Sequence, residues 1–289
     1  MQNILKYWVR SKNDDLKVIP TDSIVMKVDK EAVRRSGMMI PGDSIPDYMH
    51  ISLKGKRALY KSELMMLEML AEANWERPIY MAVSVGTENH LGMGNHFVQE
   101  GLTYRFTPFD TEKTGVKLDS EKMYDNLMNK FKFGGIDKEG IYIDENAMRM
   151  CYSHRRIFSQ LIGQLIREGK TDKAKAALEY AEKMIPAYNV PYDWQNGAMQ
   201  MAEAYYQLGE KEKGDNIMKA LADKAVEYLT WYLSLDDQRF AMSSHEVVDY
   251  QLPILSTEVK LMQKYNSELA PVYDSKLNEL YQMCVDRMK

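Results

Sequence analysis

The residues best equipped for chemistry crowd into one short stretch, Glu88-Asn89-His90-Leu91-Gly92-Met93-Gly94-Asn95-His96-Phe97-Val98-Gln99-Glu100. Two imidazoles and two carboxylates, from His90, His96, Glu88 and Glu100, are donor types that suit a divalent transition metal. On a helix, His96 and Glu100 would share a face at i, i+4. The pattern His-Glu-x-x-His of zinc proteases is absent, however, and Gly92-x-Gly94 lacks both the third glycine and the lysine of a phosphate loop. A polar loop after a buried strand accounts for the same residues, and loops so placed carry function disproportionately. The stretch therefore stands as an alternative site, for a stand-alone hydrolase or sugar-modifying enzyme. No metal and no cofactor is assigned to it.

Nucleophile arrangements are weaker. There is no Gly-x-Ser-x-Gly elbow. Cys151 and Cys284 are the only cysteines, too few for a disulfide scaffold or a four-thiolate zinc site. Cys151 precedes His154 by three residues on an expected helix, so thiol and imidazole could meet, but a buried cysteine beside an incidental histidine is the favoured reading. Asp14-Asp15 and Asp236-Asp237 read as solvated turns. No catalytic residue emerges. Aromatic side chains are the other candidate, because 19 tyrosines and 4 tryptophans supply rings with one apolar and one hydrogen-bonding end. Tyr192, Trp194, Tyr205 and Tyr206 are the ones expected to line a binding surface, and packing helix on helix also calls for such residues.

The elements that must position these groups fall into two halves, giving an α+β fold: a mixed α/β domain over residues 1–140 and an all-α helical domain over 141–289. In the first half, Leu16–Ile19 and Ser23–Val28 alternate as strands, and Tyr48–Leu53 alternates again before Gly55. Tyr60 to Ala73 has helical period, with Ser62 a candidate N-cap, Asn74 the stop, and Leu64, Leu67, Leu70, Met65, Met66 and Met69 forming one wide apolar face. Pro78–Val85 reads as the best buried strand and Leu102–Phe106 as another. Ser120–Phe131 reads as a helix capped by Asp119 or Ser120 and ended by Gly134-Gly135. The net charge of −4, from 38 basic and 42 acidic side chains, removes any global attraction for nucleic acid. No run approaches the roughly 18 apolar residues of a membrane helix, and the first ten residues lack the pattern of a signal peptide.

In the second half a repeat is visible. Arg167-Glu168-Gly169-Lys170-Thr171-Asp172-Lys173-Ala174 has the form of Gln207-Leu208-Gly209-Glu210-Lys211-Glu212-Lys213-Gly214. In each, a helix ends in glycine, polar residues turn the chain, and a second helix begins with a small residue that admits its neighbour closely. The unit resembles the tetratricopeptide repeat, a helix-turn-helix of about 34 residues. Ala174, Leu178, Ala181 and Pro186 fall where that pattern wants small, bulky, small and proline. The second unit keeps Ala202, Tyr205, Gly209 and Met218 but departs at Leu221 and Val226. The turn glycines are six residues further apart than the usual period, so Ala187–Tyr192 must bulge or extend. A third helical pair is expected near Glu246–Tyr265 and Val272–Arg287, as a cap for the stack.

Three strings carry a wider resemblance: Asn74-Trp75-Glu76-Arg77-Pro78-Ile79-Tyr80-Met81-Ala82-Val83, Tyr124-Asp125-Asn126-Leu127-Met128-Asn129-Lys130-Phe131-Lys132-Phe133-Gly134-Gly135, and Asp144-Glu145-Asn146-Ala147-Met148-Arg149-Met150. They resemble the soluble C-terminal tails of a family of bacterial multi-spanning membrane proteins of unknown function, whose membrane part is similar to protein O-mannosyltransferases. Val28–Val33 and Leu59–Leu64 fit as well. The resemblance implies an extramembrane tail on the periplasmic face, joined to the inner membrane through a preceding region. It carries no catalytic residue into this chain. The expected role is thus accessory: recognition of an acceptor protein, a glycan or a partner subunit. Asn74–Pro78 reads as a structural corner, in which Arg77 could bridge Glu76 or a carboxylate further off. Asn126, Asn129 and Lys130 are expected on one helix face, suited to polar packing or ligand contact.

Overall fold

The computed structural model describes residues 22–38, 44–56 and 58–289. The expected strand Leu16–Ile19 and the pair Asp14-Asp15 lie outside the described residues. The chain divides into two compact units, Met1–Asn126 and Leu127–Lys289. The fold is α+β, with a small sheet region first and a long helical stack after it.

In the first unit, alternation makes two antiparallel strands, β1 (Ser23–Lys27) and β2 (Tyr48–Ser52), paired with Val25 opposite His50. Met49 and Ile51 enter the core, joined by the partly buried Ile24 and Met26, while Val25, Tyr48 and His50 point outward. Between the strands, Asp29 caps helix α1 (Lys30–Arg35) by accepting from the Ala32 amide at 2.9 Å. Helix α2 (Lys61–Ala73) begins two residues earlier than a Ser62 cap would require: Tyr60 is the capping position, and the Glu63 carboxylate accepts from its amide at 2.7 Å. Its apolar face is narrower than its composition suggests. Leu64, Leu67 and Leu70 are buried, but Met65 and Met69 are more than half exposed.

Asn74 ends α2 in the left-handed region, and Trp75 follows it there. Trp75 is buried, donates its indole N–H to the Lys27 carbonyl at 2.9 Å and stacks on Phe106 at 5.5 Å. The corner at Asn74–Pro78 is thus a packing element, and Glu76 pairs with Arg35 at 3.0 Å rather than with Arg77. The strand expected over Pro78–Val85 shrinks to β3 (Tyr80–Ala82). It is the edge of a three-stranded antiparallel sheet, in the order β3, β5 (Thr103–Phe106), β4 (Phe97–Gln99). An edge strand covers one side only, and Tyr80 is nearly half exposed. The buried strand is β4, within the stretch read as a loop, all three of whose residues are buried. After a short helix α3 (Thr111–Thr114), Asp119 caps α4 (Ser120–Asp125), and the chain continues as a π-helical turn at Asn126–Lys130. Along this turn Asn126 is half-buried, and Asn129 and Lys130 are exposed.

In the second unit, Asp144 caps the long helix α5 (Glu145–Arg167) through the Asn146 and Ala147 amides. Helices α6 (Thr171–Met184), α7 (Ala198–Gln207), α8 (Lys211–Ser234), α9 (Asp237–His245), α10 (Leu252–Lys264) and α11 (Ala270–Arg287) follow. Asp236 caps α9 by accepting from the Arg239 amide. A second π-helical turn, Glu246–Gln251, joins α9 to α10. The two repeated segments are helix-turn-helix connections with Gly169 and Gly209 at positive φ. Packing of α7 on α8 requires a small residue at Gly214, where a Cβ would lie 2.7 Å from the Tyr206 ring. The extra length between repeats is taken up by a turn, Val190 N–H to Pro186 O at 2.9 Å, and a 3-10 turn at Trp194–Asn196.

Candidate functional site around the 190–196 segment

Apart from its 3-10 turn the segment from Val190 to Asn196 is irregular, so the carbonyls at its start need donors from elsewhere. Arg155, on α5, supplies them. Its guanidinium donates to Ile185 O (2.7 Å), Val190 O (2.6 Å) and Pro191 O (3.0 Å), and its carbon lies 5.0 Å from the Tyr192 ring centre. The side chain is fully buried, and that burial lowers its pKa to about 10, against the raising influence of Tyr192 and Tyr152. Gly197 brings the end of the segment onto α5. Its φ is +80°, and a Cβ there would sit 2.4 Å from Ser159 Oγ and 3.0 Å from the Arg156 backbone.

The four aromatic candidates separate once the segment is placed. Tyr205 is fully buried, and its hydroxyl donates to Glu182 at 2.5 Å; Tyr192 donates to the other oxygen of the same carboxylate at 3.1 Å. Burial, followed by the Glu182 bond and charge, pushes the Tyr205 phenol far above its usual range, so it stays neutral. Tyr206 is also buried, donates to Asp215 at 2.6 Å and stacks on Tyr265 at 4.9 Å. Both rings therefore act as core residues. Trp194 is the exposed one, at 40%.

Beside Trp194 lies a group that spacing alone did not single out. Asp193 accepts from the Gln195 amide at 2.9 Å and pairs with Lys224 of α8 at 2.6 Å. Lys224 also stands 5.9 Å over the ring of the half-exposed Tyr228. Burial, which opposes charge on Lys224, is outweighed by the Asp193 bond, and its pKa is raised. The charges of Asp193 and Lys224 also act on the Tyr152 phenol of α5. Two helices and the connecting segment thus gather Tyr152, Asp193, Lys224 and Tyr228 at one place, with Trp194 next to Asp193 in the chain. Such a set of rings around an ion pair can stack on an apolar face while its charges hydrogen-bond a polar edge.

The stretch from Glu88 to Glu100 does not form a cluster. His90 is buried edge-on to Phe97 (5.2 Å) and Tyr104 (6.4 Å), with Nε2 3.3 Å from the Val85 carbonyl. His96 is buried at the start of β4, and burial lowers its pKa, partly offset by the Phe109 backbone. Because β4 lies between them, His96 and Glu100 share no helix face. Glu100 instead makes a buried ion pair with Arg105 (2.8 Å) and a second with Lys122 (3.2 Å). Glu88 is exposed and accepts from Asn89. Among the described residues no group of three or more His, Cys, Asp or Glu is placed to hold a metal ion. Cys151 and Cys284 are free and buried, and burial raises both thiols. His154 donates Nδ1–H to Met150 O at 2.7 Å and packs against Phe131 and Phe133, engaged apart from the Cys151 thiol.

Among the described residues no helix is long and apolar enough to cross a membrane. No curated protein and no solved structure matches this chain. Residues 2–126 match the family model TMEM260-associated domain 2, a domain of unknown function linked to an O-mannosyltransferase-like protein. The matched stretch ends at Asn126, the last residue of the first compact unit.

Proposed function

We propose that the chain is a non-catalytic accessory region of a membrane glycosyltransferase-like protein, of the bacterial kind its sequence strings resemble. The match of residues 2–126 to TMEM260-associated domain 2 carries this reading. The helical stack, in this reading tetratricopeptide-like, recognises the acceptor protein, a glycan or a partner subunit. The surface that does so comprises Trp194, Asp193, Lys224 and Tyr228, while the buried Tyr205 and Tyr206 belong to the core of the stack and Tyr192 holds Glu182. The region works on the periplasmic face, tethered to the inner membrane through a preceding segment.

Two measurements test the two parts. An immunoblot of fractionated source cells, probed against this region, is expected to give a band much larger than 33.6 kDa in the membrane fraction; a soluble band near that mass overturns the accessory reading. Separately, Trp194→Ala with Tyr228→Ala is expected to abolish capture of acceptor by the full protein while leaving the circular dichroism spectrum unchanged. Unaltered capture rejects this surface and leaves the first result standing.

A further inference from the structure

Glu258 is the most unusual ionisable group in the helical stack. It lies on α10, which packs against α8 and α11, and it has no exposed surface at all. Neither carboxylate oxygen has a hydrogen-bond partner. An ionised carboxylate removed from water needs donors or a cation, and without them neutralisation is the less costly state. The surrounding elements do not supply a cation. The 190–196 segment presents Asp193, whose like charge opposes ionisation of Glu258 and whose own partner is Lys224 of α8. α11 presents Tyr273, whose hydroxyl donates to Asp223 of α8 at 2.5 Å and whose ring lies 5.2 Å from the Lys276 ammonium. The π-helical turn that also packs on α10 contributes only the acids Glu246 and Asp249.

We propose that Glu258 is held as an uncharged carboxylic acid in the native stack and acts as a proton-sensitive latch, so that its ionisation loosens the packing of α8, α10 and α11 beside Asp193. The proton is taken from and returned to water. The direction of the pH dependence follows from burial, with a smaller contribution from Asp193, which together raise the group from 4.5 in the unfolded chain to about 8 in the folded one. Between those values the folded state carries a proton that the unfolded state has lost. Its contribution is therefore complete below 4.5, declines as pH rises through the window, and is gone above about 8.

The test is urea unfolding of the full chain from pH 5 to 9, comparing wild type with Glu258→Gln, which keeps the shape but cannot ionise. The folding constant of the variant relative to wild type is expected to rise by up to about tenfold per pH unit until pH 8, then level off. Parallel profiles overturn the proposal. A second measurement stands independently of the variant's folding: the side-chain carboxyl carbon resonance of Glu258 in wild type, assigned through the backbone. A titration midpoint above pH 7 supports the latch, and a midpoint near the ordinary glutamate value overturns it.

Discussion

The two compact units bury charge in opposite ways. In the first, Arg105 is 2% exposed and is met by Glu100 at 2.8 Å, with the Gly37 carbonyl as a further partner and Asp119 at 3.9 Å. Lys122 and the Asn126 amide, which donates to Glu100 O at 2.8 Å, close the arrangement. In the second unit Arg155 and Glu258, the most deeply buried basic side chain and carboxylate, have no ionic partner in direct contact, whereas Asp193 pairs with Lys224 at 2.6 Å. Arg155 is bonded to three backbone carbonyls, and Glu258 to nothing. The difference follows from the local backbone. Strands β4 and β5 are adjacent and joined by a short loop, so a carboxylate and a guanidinium five residues apart meet across it. Helices satisfy their own backbones, and the irregular stretch after α6 leaves carbonyls that call for a long donor, as do Leu233 and Leu235 at the end of α8, which accept from Arg287.

That comparison can be broken at several points. The largest effect is expected from Arg105→Met, which leaves Glu100 buried without its closest counter-ion and should cost about 3–5 kcal/mol, measured by urea unfolding. Arg155→Met should follow at roughly 3 kcal/mol, since three carbonyls lose a donor but no carboxylate is stranded. Arg155→Lys should restore little of this, because an ammonium lacks the fork that spans three acceptors. If Arg155→Met proves the costlier, the first unit's ion pair is not what distinguishes the two. Gly214→Ala should cost on the order of 1–3 kcal/mol through overpacking against Tyr206, read as a lowered Tm.

Acid sharpens the contrast. Burial lowers the His96 pKa from 6.5, so below 6.5 the unfolded state binds a proton that the folded state refuses. Stability of the first unit is then complete above 6.5 and falls as pH drops through that value, opposite in sign to the behaviour of Glu258. His96→Gln should flatten the acid side alone, which stability measured from pH 7 to 5 would reveal. The smallest effect is expected at the exposed ring: Trp194→Ala should change stability by no more than about 0.5 kcal/mol. A larger loss would move Trp194 from the surface to the core and remove it from the proposed recognition surface.

Much of the helical half was legible because helix ends are local events. Gly169 and Gly209 as turns depend on the residues next to them and fall where their types predict, as does the Asp119 cap in the first unit; Asp236, read with Asp237 as a solvated turn, instead caps α9, with Asp237 its first residue. Boundaries set by partners were not legible. Pro78–Val85 is apolar enough for a buried strand, yet it pairs on one side only and shortens to Tyr80–Ala82 at an edge. Glu63 capping Tyr60 was readable in principle, since a glutamate three residues into a helix can reach back to the capping amide. Of the four aromatic candidates, Trp194 is exposed while Tyr205 and Tyr206 are core residues, a division that residue type does not carry. The residue before Trp194, Asp193, was passed over because a lone aspartate beside a tryptophan carries no spacing signal until Lys224 arrives from 31 positions away.

The sequence by itself determined which segments are helical, where most of them stop, and that a repeated helix-turn-helix occupies the second half. Those outcomes rest on capping, turn chemistry and periodicity, all of which act over a few residues. Tertiary structure alone decided which aromatic rings are core and which reach water. It decided that His90 and His96 are each buried without joining a group that could hold a metal among the described residues, and that Arg105 gains a carboxylate while Glu258 gains no partner. Each of these depends on which side chain is brought opposite from a distant position, and on how much water remains there; composition and spacing carry neither quantity.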